Sequence, residues 1–273
     1  MKTKTYFSFF LFSLIIVSSC RRDRDVDTDT SGARDNALAE SSFNEIQTIA
    51  DQAQAGDLGN YRDMNDTIYL GCATIIRDTL STPRSITVDF GTVNCECADG
   101  KERRGKIVTS YTGSYRDSGT VITHIPVDYF INDNQITGTK TVTNMGKNSD
   151  NHTWFDISVS GTIIKANGGG TITWISDRER EWIEGESTGA GYWQDDVYLI
   201  TGSASGTGAN GNSFTSVITE ALRIELDCEH ITGGEFEFTP SNKPVRTVNF
   251  GSGACDNEIT VTINGNTYTI TLQ

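Results

Sequence analysis

The chain has 273 residues and a formal net charge of −14, with 36 Asp and Glu against 22 Lys and Arg. That balance excludes the basic surface that nucleic-acid binders present to phosphates. The 27 Gly against 4 Pro, with abundant Thr, Ser and Asn, describe many strands and turns, and the length allows one large or two small domains.

Residues 1–19 read as an export signal. Lys2 and Lys4 precede an apolar run from Tyr6 to Val17 that is too short to span a bilayer as a helix. The ending Val17-Ser18-Ser19-Cys20 resembles the lipobox of bacterial lipoproteins, in which the cysteine becomes a diacylated amino terminus. The resemblance implies lipidation of Cys20 and a membrane partner held by acyl chains, each buried methylene contributing roughly 0.8 kcal/mol. Residues 20–34 are polar and aperiodic, as expected of a disordered tether.

Residues 35–56 carry Leu38, Phe43, Ile46, Ile49, Ala50 and Ala53 near helical spacing. Asp35 or Asn36 is placed to cap the start and Gly56 to stop the end, so an amphipathic helix packed on the following body is expected. From residue 60 to 273 the pattern changes to period two. Val121 to Ile131 and Thr153 to Lys165 alternate most clearly, and Asn264-Gly265-Asn266 joins the last two strands as a hairpin. Short turns without helical insertions predict an all-β body, a long antiparallel meander or sandwich-like sheet of about 14 strands. Asp177 to Glu181 reads as a charged turn and Ser203 to Asn212 as a hairpin end or mobile loop. Gly138, Gly161 and Gly202 lie inside strand patterns, where glycine marks a bend, so strong curvature is expected.

One frame occurs twice, in related units at about 64–115 and 220–273. Cys72, a strand, a Pro83-Arg84 turn, a strand ending Phe90-Gly91 and Cys95 match Cys228, a strand, Pro244-Val245-Arg246, Phe250-Gly251 and Cys255. Exported proteins meet oxidising conditions. If the copies fold alike, Cys228 bonds Cys255 and Cys72 bonds Cys95, each closing a loop of roughly 25 residues worth about 3 kcal/mol. Cys97, two residues past Cys95, is an alternative partner for Cys72.

Trp174, Trp182, Tyr192 and Trp193, with Asp195 and Asp196, are candidates for a ligand-binding aromatic platform or a carboxylate pair for glycoside hydrolysis. The plainer account places the indoles in the core and the charges on a solvated face. Cys95-x-Cys97 lacks further ligands at zinc spacing, with His124, His152 and His230 scattered, so no metal or other cofactor is expected. No nucleophile elbow or phosphate loop is present, and no catalytic residue is assigned.

The run from Arg246 to Val261, the earlier copy of the frame and Asp195-Asp196-Val197-Tyr198 resemble a family of uncharacterised Bacteroidota-type lipoproteins. The resemblance covers most of the chain from about residue 64. It implies an exported, mostly β, lipid-anchored protein of the outer membrane, facing the periplasm or the surface. The resemblance assigns no activity; the expected reading is a non-enzymatic binding or structural protein with an envelope protein or glycan partner, and a glycan-processing or other hydrolase using carboxylates near residues 174–196 is the alternative.

Overall fold

The computed structural model describes residues 27–55, 71–188 and 193–272. The export signal, Cys20 and Tyr192 lie outside the described residues. Helix α1 spans Ser31–Ala55. The strands follow as β1 (Thr74–Asp78), β2 (Arg84–Asp89), β3 (Cys95–Glu96), β4 (Glu102–Tyr111), β5 (Val121–Ile131), β6 (Asn134–Lys147) and β7 (Thr153–Ile164). Then come β8 (Thr171–Glu184), β9 (Val197–Thr207), β10 (Ser213–Glu225), β11 (Ile231–Pro240), β12 (Arg246–Ser252), β13 (Glu258–Ile263) and β14 (Asn266–Thr271). They form one antiparallel sheet of 14 strands, thirteen of them a meander in chain order with β1 and β14 at its two ends and the short β3 added beside β4. The all-β class, the meander and the amino-terminal helix are as the sequence predicts.

The position of the helix is not. An amphipathic surface helix keeps one face in water, but Asp35, Asn36, Ala37, Glu45 and Ile49, which point in all directions around the axis, are all buried. The sheet curls around α1. Gly32 meets Phe238 of β11, Phe43 stacks on Trp174 of β8 at 5.5 Å, and the Arg77 guanidinium of β1 donates to the Ala53 carbonyl at 2.6 Å. The helix also begins four residues earlier than its apolar spacing indicates. Its first turn is capped by Asp29, whose Oδ1 accepts from the Ser31 N–H at 2.9 Å. Asp35 and Asn36 are instead tertiary acceptors: Asp35 takes Lys165 Nζ at 2.9 Å and the Ala209 N–H at 2.8 Å, and Asn36 takes Trp174 Nε1 at 2.9 Å. Residues 27–30, expected to belong to the tether, are held by Arg246 on Asp27 and by Lys243 on Asp29.

The in-strand glycines let the wall close on this core. Gly138 and Gly202 have φ of 128° and 117°, and Gly138 pairs directly with Gly161. At Gly161 a Cβ would lie 2.0 Å from Phe43 Cζ, so the absence of a side chain there admits the helix's largest apolar residue.

The two copies of the cysteine frame share local structure. Phe90 and Phe250 are both buried, and the glycines after them adopt φ of 80° and 85°. In each, an Asx carbonyl or carboxylate oxygen two residues back accepts the glycine N–H, Asp89 at 2.9 Å and Asn249 at 2.8 Å. Disulfides join Cys72 to Cys95 and Cys228 to Cys255.

Replacing Gly161 with alanine is expected to destabilise the fold by about 1–3 kcal/mol through overpacking against Phe43. Thermal unfolding should show a lowered midpoint, and pairing the change with Phe43→Leu should recover part of the loss. Strict additivity of the two substitutions would show that the contact is not limiting.

Candidate functional site

The stretch from Trp174 to Asp196 converges on β8, which carries different chemistry on its two faces. Strand alternation sends even-numbered residues inward and odd-numbered ones outward. The run Asp177 to Glu181, expected as a turn, is therefore mid-strand, and its arginines enter the core because carboxylates await them there. Arg178 Nη2 meets Glu40 Oε2 at 2.6 Å, and Arg180 lies 3.7 Å from Asp51 while covering the Tyr198 ring at 3.5 Å from its centroid. Similar pairs join Glu45 to Arg103 at 2.6 Å and to Lys101 at 2.7 Å.

Trp174 and Trp182 are 1% and 2% exposed, so neither contributes to a surface platform. Both indoles face inward because they share the parity of Arg178 and Arg180. Trp182 Nε1 donates to Asp196 Oδ1 at 3.2 Å, and Arg116 from the β4–β5 loop covers its ring. Trp193 begins a single 3-10 turn, Trp193–Asp195, and Asp195 is exposed.

The buried groups around Asp51 titrate abnormally. Burial raises Asp51 to about 6 against the pull of Arg180 and Lys140. Burial and the neighbouring Asp51 raise Asp196 to about 7. Lys140, which donates to the Phe43 carbonyl at 3.0 Å, is lowered to about 7 by burial and Arg180. His124 accepts or donates with Thr109 Oγ1 at 2.9 Å and is held neutral, its value lowered to about 3 by burial and by Lys140. Burial opposes ionisation of Glu45 too, yet Arg103 and Lys101 hold it at about 2.

On the outer face, a depression of about 370 Å³ is lined by Trp154 and Asn148, Glu179 and Glu181 of β8, Leu199 and Thr201 of β9, and Ala221 of β10. Trp154 stands directly opposite Glu181 in the β7–β8 register. Glu181 is oriented by His152 Nδ1 at 2.8 Å and Asn148 Nδ2 at 2.7 Å, and these bonds hold its carboxyl below the ordinary range. Indole, Leu199 and Ala221 supply an apolar floor, and the carboxylates, amide and Thr201 hydroxyl a polar rim. Sequence reasoning passed over Trp154. Its parity was the available signal, because it is out of phase with the inward series Phe155, Ile157 and Val159.

Among the described residues, no three His, Cys, Asp or Glu side chains converge as a metal site. No protein-family model, curated protein or solved structure matches the chain.

Asp196 binds its proton near pH 7 when folded, against the usual 3.8. Its contribution to stability is thus complete below about pH 3.8 and is lost as pH rises through 7. Asp196→Asn should gain stability relative to the unsubstituted protein between pH 6 and 8. It should also abolish a step in tryptophan emission centred near pH 7. Persistence of that step in the variant would assign it elsewhere.

Proposed function

We propose that the chain is a lipid-anchored envelope protein that binds glycan on the outer face of its sheet and performs no catalysis. The observation that carries this reading is the half-buried Trp154 beside the oriented Glu181 carboxylate, over an apolar floor. An indole offers a flat apolar surface to the C–H face of a sugar, and fixed carboxylates and amides accept and donate to its hydroxyls. The interior supports the same reading, since α1 occupies the space that a ligand would take in an open barrel.

A hydrolase draws less support. Glycoside hydrolysis pairs an acid of raised pKa with a second carboxylate across one bond. Here the raised carboxyls, Asp51 and Asp196, are inside the curl, whereas Glu179 and Glu181 lie outside it on the other face of the sheet. The acidic surface fits an exported protein with no affinity for nucleic acid. Cys20 in its lipobox-like setting would supply the attachment to the outer membrane.

Trp154→Ala is expected to weaken retention on immobilised envelope polysaccharide by at least about tenfold with the thermal midpoint little changed, in keeping with the 1–3 kcal/mol typical of a stacked aromatic contact. Equal retention of both proteins would remove the site from consideration. Cys20→Ala should move the protein from the membrane to the soluble fraction and abolish metabolic labelling with a palmitate analogue.

A further inference from the structure

The first cysteine frame contains a third sulfur that the second lacks. Position 257, equivalent to Cys97, is an asparagine whose side chain donates to the Leu272 carbonyl at 3.1 Å. In the first copy, Cys97 Sγ lies 3.7 Å from Cys72 Sγ, within van der Waals contact of the Cys72–Cys95 disulfide. Backbone pairing places it there. Cys95 pairs with Arg103 in the β3–β4 ladder, and the Cys97 N–H donates to the Lys101 carbonyl at 2.9 Å, so the extended pairing continues past β3. Residues two apart on a strand share a face, so Cys95 and Cys97 address Cys72 from the same side. Cys97 is buried, whereas Cys95 is half-exposed between the exposed Asn94 and Glu96.

We propose that Cys72, Cys95 and Cys97 form an internal thiol–disulfide exchange site that moves a free thiol between a buried and an accessible position. The Cys97 thiolate attacks Cys72 Sγ, a Cys72–Cys97 bond forms as the Cys72–Cys95 bond breaks, and the electron pair leaves on Cys95. The proton lost by Cys97 returns, through solvent, to Cys95. No external oxidant or reductant is consumed, because one disulfide and one thiol stand on each side of the reaction. The product presents its thiol where an external thiol reagent or a protein disulfide can reach it, and that is the modification site the exchange creates.

The groups facing Cys97 are Arg103 and Asp99, Glu45 of α1 and Tyr129 of β5. Burial pushes its thiol up, with the Arg103 guanidinium opposing, so attack by the thiolate is slow near neutrality and faster as pH rises.

Full-length protein purified without reductant is incubated at pH 8, undenatured, in excess N-ethylmaleimide. It is then acid-quenched and unfolded, and the remaining disulfides are reduced and capped with iodoacetamide. Fragmentation of the peptide containing residues 95–97 locates the maleimide. The expected result is maleimide on Cys95, with iodoacetamide on Cys72 and Cys97, accumulating to completion. Maleimide confined to Cys97, no maleimide at either position, or a Cys95 signal that stops short of completion because the two pairings are a fixed mixture would each overturn the proposal. Cys97→Ser should abolish labelling of Cys95. Cys95→Ser should contain no free thiol at residues 72 and 97 because Cys72 bonds Cys97, and free thiols at both positions in that variant would equally overturn it.

Discussion

The fold depends on a set of charge pairs that join the central helix to the wall around it. Asp35 and Glu45 leave the helix in different directions and Glu40 and Asp51 share a third, and Lys165, Arg103 with Lys101, and Arg178 and Arg180 receive them. Buried ion pairs add little net stability over well-packed apolar residues, but loss of one partner leaves a charge in a poorly solvating interior at a cost of about 3–5 kcal/mol. Their effect here is to set both the rotation of the helix and its height in the sheet. Arg178 and Arg180, two residues apart on one strand, bind Glu40 and Asp51, which are about three turns apart on α1. A helix slipped by one turn would separate both pairs at once.

This arrangement explains why the two faces of one strand diverge so far. Inside, β8 presents guanidiniums to the helix carboxylates and indoles to Phe43 and Tyr198, and protonation states there are governed by burial. Outside, the same strand presents carboxylates to solvent and to Trp154, and there hydrogen bonds to His152 and Asn148 do the orienting. The sheet separates a structural ionic layer from the outward depression beside Trp154 at a distance of one backbone thickness.

Much of the architecture was legible in the chain. Alternation revealed most strands, the duplicated frame revealed both disulfides, and Gly138, Gly161 and Gly202 revealed the curvature. The charged residues misled. Arg178 and Arg180 between acids look like a solvated turn because a sequence shows charges without their partners, and those partners are some 130 residues earlier on a helix whose acids look equally solvated. Asp29 was assigned to a tether for the same reason, since Lys243 lies 214 residues away. Trp154 lies outside the aromatic-dense stretch of the chain, and parity alone separates the core indoles from this half-buried, outward one.

If Cys20 is lipidated as proposed, the docking of Asp27 and Asp29 by Arg246 and Lys243 would limit the geometry of the anchored form. Only the residues from Cys20 to Asp27 would remain as a leash, reaching at most about 25 Å when fully extended. The body would therefore sit close against the bilayer, with the amino-terminal end of its helix and the β11–β12 turn lowermost. Lys165, just past β7, contacts Asp35 near that lower end, whereas Trp154 is at the start of the strand, up to about 35 Å farther along it. A short leash would thus act as a stand, lifting the indole-lined face clear of the lipid headgroups and turning it toward the space beyond them.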